Sequence, residues 1–335
     1  MSSRASEPVD VLAAVLAAHA AGELIALRTS GTTGRPRSVL RTTTSWFDSF
    51  GTVRELTGLA GDSRLWLPGP LSSTMNLFAA VLVADTGSRV VTRPETATHV
   101  HLTPQVLRRH LDDHGTLGGV HVTVAGDRLS QALRDRAVAA GAEVSHYFGA
   151  AELSFVAWGQ HEDDLRAFPG VEIEVRDGVL WGRSPFLAAG YAGAPGALRV
   201  DADGFGTVGD RGMVAADGTV TVLGRGDETV LTGGATVAVA DVEAALRPGL
   251  DGDVVVVGQP YEPLGEVVAA VLTARADLTR ARSAARAELT RVQQPRRWFH
   301  LPQLPLTAAG KVDRRALLGL LVEAERLPTH RGDTS

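Results

Sequence analysis

Residues 29–37 read Thr-Ser-Gly-Thr-Thr-Gly-Arg-Pro-Arg. The glycines Gly31 and Gly34 let backbone N–H groups turn toward an anion, and the hydroxyls of Thr29, Ser30, Thr32 and Thr33 add donors. Such a loop suits a polyphosphate. It lacks the Gly-x-x-x-x-Gly-Lys-Ser/Thr spacing of the common phosphate loop and the Gly-x-Gly-x-x-Gly turn of dinucleotide folds. The apolar residues 24–27 run into it as a predicted strand, and a helical pattern begins near Thr43. Together these predict an α/β protein.

Outward from this loop, the pattern stays consistent. The only long apolar run, 11–27, contains His19 and Glu23 and follows Glu7 and Asp10. A secretory signal wants a basic start, and a membrane span wants about 20 apolar residues with few charges. The run therefore predicts a helix from about Pro8, stopped by Gly22, in a soluble, cytoplasmic protein without a membrane partner. To about residue 160, short apolar strands (64–67, 89–92, 99–102, 120–124, 143–145) alternate with helical stretches such as 131–140, which predicts parallel pairing. From Gly170 the strands (171–175, 179–182, 206–208, 213–215, 219–223) are separated by Asp-Gly turns at Asp177, Asp203 and Asp217, which predicts antiparallel hairpins. A break at 224–227 opens a smaller α+β unit with helices at 240–246 and 278–292 and strands at 254–257 and 267–273. The expected domains are 1–224 and 225–335.

Composition removes several classes of function. The 335 residues are 44% hydrophobic and 21% charged, with a formal net charge of −5. That is a folded chain, and one poorly suited to nucleic acid as a partner. There is no cysteine, so disulfides, thiolate metal sites and a cysteine nucleophile are excluded. Lys311 is the only lysine among 33 basic residues. Lysine carries a compact ammonium on a flexible stem, which a planar guanidinium cannot replace. His110 and His114 stand four residues apart, a possible metal pair, but no third ligand accompanies them.

Five ordered motifs carry a resemblance. After 29–36 come Phe148-Gly149-Ala150-Ala151-Glu152, Gly209-Asp210, Gly224-Arg225-Gly226-Asp227 with Gly233-Gly234, and Pro305-Leu306-Thr307-Ala308-Ala309-Gly310-Lys311-Val312-Asp313-Arg314. In this order they resemble the acyl-adenylate-forming (ANL) superfamily of acyl-CoA synthetases, nonribosomal adenylation domains and luciferases. The chain resembles the short o-succinylbenzoate–CoA ligase-like members. The resemblance implies a truncated large domain of mixed sheets with flanking helices and a small antiparallel β unit, followed by a small mobile α+β domain.

The resemblance also implies roles. Thr29, Ser30, Gly31, Thr32, Thr33, Gly34 and Arg37 would hold the phosphates of ATP, with Phe148, Gly149 and Ala151 beside the nucleotide. Glu152 would bind Mg²⁺, Asp210 the ribose hydroxyls, and Arg225 the ribose or a phosphate. Lys311 would bridge the acyl carboxylate and the α-phosphate, offsetting the negative charge that crowds there. Asp227 would be the hinge about which the second domain turns before CoA arrives, and Gly233 and Gly234 would line the pantetheine passage. Met75, Asn76, Gly126, His146 and Tyr147 would neighbour the acyl pocket.

Three differences from the family pattern bear on function. Arg37 replaces a frequent lysine and keeps the cation. Ala151 replaces a threonine whose hydroxyl meets the α-phosphate, a loss on the order of 1.5–3 kcal/mol. Residues 67–74 carry no aromatic or histidine gate. Only 28 residues precede the phosphate loop, so the first N-terminal subdomain of relatives is expected to be missing. Residues 1–22 or a second copy, in a homodimer, would cover the apolar sheet so exposed. The leading expectation is an ATP-dependent acyl-CoA ligase for a small-molecule carboxylic acid. The alternatives are delivery of the acyl group to a carrier protein or an amine, acyl transfer from acyl-AMP to CoA without adenylation, and noncatalytic binding of a nucleotide or acyl ligand.

Overall fold

Three short strands with alternating sequence set the architecture. His99–Leu102, His121–Val124 and Glu143–Ala150 pair in parallel, with Val100, Val122 and Val144 in one row. Side chains alternate along a strand. Val100, Leu102, Val122, Val124 and Val144 thus share a face, and they form one core cluster with Leu107, Leu111, Leu133 and Ala137. Those partners lie on the helices Pro104–Asp113 and Gln131–Ala139. Thr103 and Ser130 cap these helices, accepting from Val106 N and Leu133 N. The opposite face carries His99, His101, Thr123 and Ser145, all buried.

In this computed structural model, residues 8–29, 37–225, 229–262, 264–322 and 325–327 are described. Among them the three strands belong to a seven-stranded sheet in the order Arg89–Val91, Arg64–Trp66, His99–Leu102, His121–Val124, Glu143–Ala150, Ser154–Gly159, Arg166–Ala167. The first five are parallel and the last two antiparallel. The helix Thr74–Thr86 is apolar on nearly every side, so burial all round is its stable state. Its Leu77, Phe78 and Val81 share a core with Ile25, Leu27, Val39, Trp46 and Phe155. A six-stranded sheet containing Glu172–Arg176 through Val220–Arg225 is antiparallel, as the Asp-Gly turns predict. No helix among the described residues is long and apolar enough to cross a membrane.

The chain divides into two units, Met1–Val222 with Ala308–Lys311, and Leu223–Thr307 with Val312–Ser335. The second unit is built on the long hairpin Val254–Tyr261 and Gly265–Leu272, with Arg297–His300 parallel to the latter strand. Trp298 and Phe299 are buried within it.

The helix expected near Thr43 begins at Thr44, and a strand absent from the sequence expectations precedes it. Leu24–Thr29 pairs antiparallel with Arg37–Thr42, which pairs in turn with Gly190–Ala192. Arg37–Thr42 alternates, with Val39 and Arg41 buried, and that period of two makes it a strand. The helix expected over 278–292 ends at Glu288. There the N–H and hydroxyl of Thr290 both donate to Gln293 Oε1, closing a turn that competes with the helix.

Candidate active site

Of the loop expected to hold phosphate, the structure describes the ends. Thr29 pairs with Arg37, while Ser30, Gly31, Thr32, Thr33 and Gly34 lie outside the described residues, as does Asp227. Arg225 closes the strand Val220–Arg225.

Glu152 sits in a tight hairpin between Glu143–Ala150 and Ser154–Gly159, where Ala150 pairs with Ser154. The ladder shifts register between Phe148 and Gly149. At Gly149 a Cβ would lie 2.1 Å from Ser154 O, so only glycine admits the turn. Ala151 packs partly buried against the large apolar cluster. Glu152 is itself buried. Its backbone O accepts from Ala188 N at 2.7 Å, and its Oε1 accepts from the Tyr191 hydroxyl at 2.9 Å. Tyr191 Oη accepts from Leu198 N at 3.0 Å, and its ring lies where a Cβ on Gly196 would stand, 2.0 Å from Cζ. Burial pushes the Tyr191 hydroxyl up to about 12, so it stays a donor to the carboxylate.

Arg41 feels the charge of Glu152. It is wholly buried, and Nη2 donates to Phe186 O at 2.9 Å. Nε and Nη1 have no acceptor among the described residues. Burial lowers its pKa to about 10, against the pull of the Glu152 charge. The strand period places Arg41 inward; nothing local in the sequence pairs it with Glu152, more than a hundred residues on.

Asp210 is buried at the start of the strand Asp210–Val214. Gly209 before it has φ +87, and Gly209 N donates to Thr207 Oγ1 at 3.1 Å. Gly233 and Gly234 form the two-residue turn between Thr229–Thr232 and Ala235–Ala238. Their φ values of +55 and +82 require glycine for the turn itself.

Lys311 belongs to the first unit, with Ala308–Gly310. Its Cε would be 3.3 Å from a Cβ on Gly126, at the carboxyl ends of the parallel strands. Open α/β sheets bind ligands at those ends. The Thr103 hydroxyl donates to Gly310 O at 2.6 Å. Gly310 has φ +76, and a Cβ there would stand 2.9 Å from Thr103 Oγ1. Thr103 escaped the motif reading. Its only local signal is a threonine before Pro104, which marks a helix start and nothing more.

The residues expected beside an acyl pocket fall in two groups. Asn76 and Gly126 are near the Lys311 segment: a Cβ on Gly69 would touch Asn76 Nδ2 at 2.4 Å and Ala308 O at 3.7 Å. Asn76 Nδ2 donates to Pro70 O, and Oδ1 is buried without a donor. Met75 adjoins Asn76 in the first turn of its helix. His146 points instead to the apolar face, its Nδ1 donating to Val124 O at 3.0 Å and its pKa pushed down to about 4 by burial. Tyr147 stacks on Trp158 and packs edge-on to Phe155 and His101, with ring centroids at 5.5, 4.6 and 5.6 Å. His110 and His114 lie 4.9 Å apart as ring centroids. No group of three His, Cys, Asp or Glu among the described residues could hold a metal ion.

The AMP-binding enzyme family matches this sequence over residues 24–192. Bacillus subtilis YhfT, an uncharacterized acyl-CoA ligase, is 25% identical over 332 residues, covering 88% of this chain and 68% of YhfT. Among solved structures, Rhodopseudomonas palustris MatB with bound ATP superposes with a TM-score of 0.73 at 22% identity, covering 89% of this chain and 68% of MatB. A variant of E. coli MenE with bound OSB-AMS gives 0.74 at 24% identity, covering 90% and 69%.

Proposed function

Because the chain belongs to the AMP-binding enzyme family, within the acyl-adenylate-forming superfamily, we propose that it is an AMP-forming acid–thiol ligase. A carboxylate attacks the α-phosphorus of ATP, pyrophosphate leaves with its electron pair, and CoA thiolate then displaces AMP from the acyl carbon. The first step brings two anions together, so it depends on positioning and on charge neutralisation. The observation that carries this reading is the placement of the only lysine. Lys311 lies over Gly126 at the carboxyl ends of the parallel strands, in the same unit as Glu152 and Asp210.

In this reading Thr29–Gly34 and Arg37 hold the phosphates, beside Phe148, Gly149 and Ala151. Asp210 takes the ribose, with Arg225 close to the nucleotide. Glu152 would hold Mg²⁺ through its carboxylate, a donor that suits a hard cation, and the ion would offset charge on the phosphates. Residues 1–224 carry adenylation; 225–335 move Lys311 about Asp227, and Gly233-Gly234 admits pantetheine. The acid is a small-molecule carboxylate. Relatedness to an acyl-CoA ligase supports CoA over a carrier protein as acceptor.

Carboxylate-dependent exchange of labelled pyrophosphate into ATP tests the first step, and thioester formation from synthetic acyl-AMP tests the second. Exchange and thioester together support the ligase. Thioester without exchange moves the assignment to an acyl-AMP:CoA transferase, the reading that Ala151 favours. Absence of both across a broad acid panel sinks the enzyme reading.

A further inference from the structure

Thr103 has a hydroxyl with two tasks. As the cap of the helix Pro104–Asp113 it accepts from Val106 N. The same hydroxyl gives its proton to Gly310 O at 2.6 Å, across 207 positions of sequence. A cap needs only an acceptor. Asn, Asp or Ser would serve, and the donated bond is an addition that capping does not explain. The surroundings are fitted to that bond. Gly310 adopts φ +76, and a Cβ there would meet Thr103 Oγ1 at 2.9 Å and Val106 Cγ2 at 3.0 Å. Next in the chain, Lys311 Cε lies 3.3 Å, and Thr103 Cγ2 3.5 Å, from the place a Gly126 Cβ would occupy. Thr103 thus bonds the backbone carbonyl before the lysine and borders the same space over Gly126 that the end of the lysine's stem borders.

A lysine stem has four rotatable bonds and loses much freedom when it is fixed. Anchoring the residue before it removes backbone freedom in advance, so less must be ordered at the moment of reaction. We propose that Thr103 is a positioning residue for adenylation: its hydroxyl holds the Gly310 carbonyl and thereby presents Lys311 over Gly126. This rests on the ligase reading above. It has a directional consequence. The bond helps only the step that needs Lys311 in place, and does nothing for acyl transfer from preformed acyl-AMP.

The test compares Thr103→Val, which keeps the shape but neither donates nor accepts, with Thr103→Ser, which can do both. Ser130→Ala removes a cap of the neighbouring helix Gln131–Ala139 and controls for capping alone. Pyrophosphate exchange, thioester formation from synthetic acyl-AMP, thermal melting and hydrogen exchange of amides 308–312 are measured on each full-length variant. The inference expects Thr103→Val to lower pyrophosphate exchange about 10-fold, the scale of one buried hydrogen bond and the order it imposes. Thioester formation stays within about two-fold, amides 308–312 exchange faster, and Thr103→Ser restores all three. Ser130→Ala lowers the melting temperature without separating the half-reactions. Equal loss in both half-reactions, unchanged protection of 308–312, or failure of serine to rescue overturns the inference and leaves the ligase reading standing. If the wild-type chain shows thioester formation without pyrophosphate exchange, the ligase reading and the positioning role fall together.

Discussion

The parallel strands end differently at their two edges. At the amino edge, His99 and His121 stack with centroids 5.8 Å apart. His99 Nε2 donates to Thr57 O at 3.0 Å, and His121 Nε2 meets Ser145 Oγ at 3.0 Å. Burial lowers the pKa of both, and for His121 the neighbouring His99 lowers it further. At the carboxyl edge stand Thr103 and Gly126, and Lys311 lies over the glycine. The edge rich in titratable residues is closed by its own packing. The edge poor in them admits the one lysine. A histidine marks chemistry only where its nitrogens are left for a substrate, and here His99, His121 and His146 engage neighbours.

The sharpest way to break this contrast is to remove the lysine. Lys311→Ala should lower pyrophosphate exchange by about 10²–10³-fold, the scale of losing one preorganised charge partner, with a much smaller effect on thioester formation from acyl-AMP. Equal loss in both steps would mean that Lys311 acts elsewhere.

The histidine face should be felt as stability. His101 is buried, its Nε2 has no hydrogen-bond partner among the described residues, and burial lowers its pKa to about 3. The unfolded chain takes up that proton near 6.5 while the fold refuses it. Stability is therefore highest above pH 6.5 and is lost as pH falls toward 3, by up to ~1.4 kcal/mol per pH unit for this group. Urea melts of His101→Leu between pH 6.5 and 4 should show a shallower slope than wild type. A parallel slope would place the acid sensitivity in other groups.

Smaller changes sharpen the comparison at the carboxyl edge. Gly310→Ala forces a Cβ into a left-handed backbone and against Thr103, and should cost about 1–2 kcal/mol in the energy of holding that segment. Read as pyrophosphate exchange, that is roughly a 5- to 30-fold fall. Gly126→Ala must displace the end of a flexible side chain as well as adopt φ +88, and is expected to act in the same direction. If either variant exchanges pyrophosphate at the wild-type rate, Lys311 does not work from above Gly126. At the amino edge, His121→Asn should leave both half-reactions within about two-fold, because the part-buried hydrogen bond to Ser145 that it removes, worth about 1 kcal/mol, lies at the end of the strands away from Lys311. A split between the half-reactions there would erase the distinction between the edges.

Much of this molecule is legible in its sequence because the signals are local. The strands over 99–102 and 121–124 follow from alternation and the hairpins from Asp-Gly turns, whereas Gly233 and Gly234, expected to line a pantetheine passage, form a two-residue hairpin turn. The strand Arg37–Thr42 is hard to read after the Gly- and Thr-rich residues 30–36, although its period of two is present once Arg41 is accepted as an inward residue. Family motifs pointed to Lys311, Glu152 and Asp210 as residue types in order. They did not reveal what holds those residues. The bond from Thr103 to Gly310, the hydroxyl of Tyr191 on Glu152 and the bond from buried Arg41 to Phe186 O each join residues from distant parts of the chain.

The one-dimensional chain by itself determined the alternation of strand and helix, the turns and the family, since each depends on residues a few positions apart. Only the folded chain decided which threonine meets which glycine and which histidines are closed off. Those outcomes depend on distances of a few ångströms between segments that no local pattern relates.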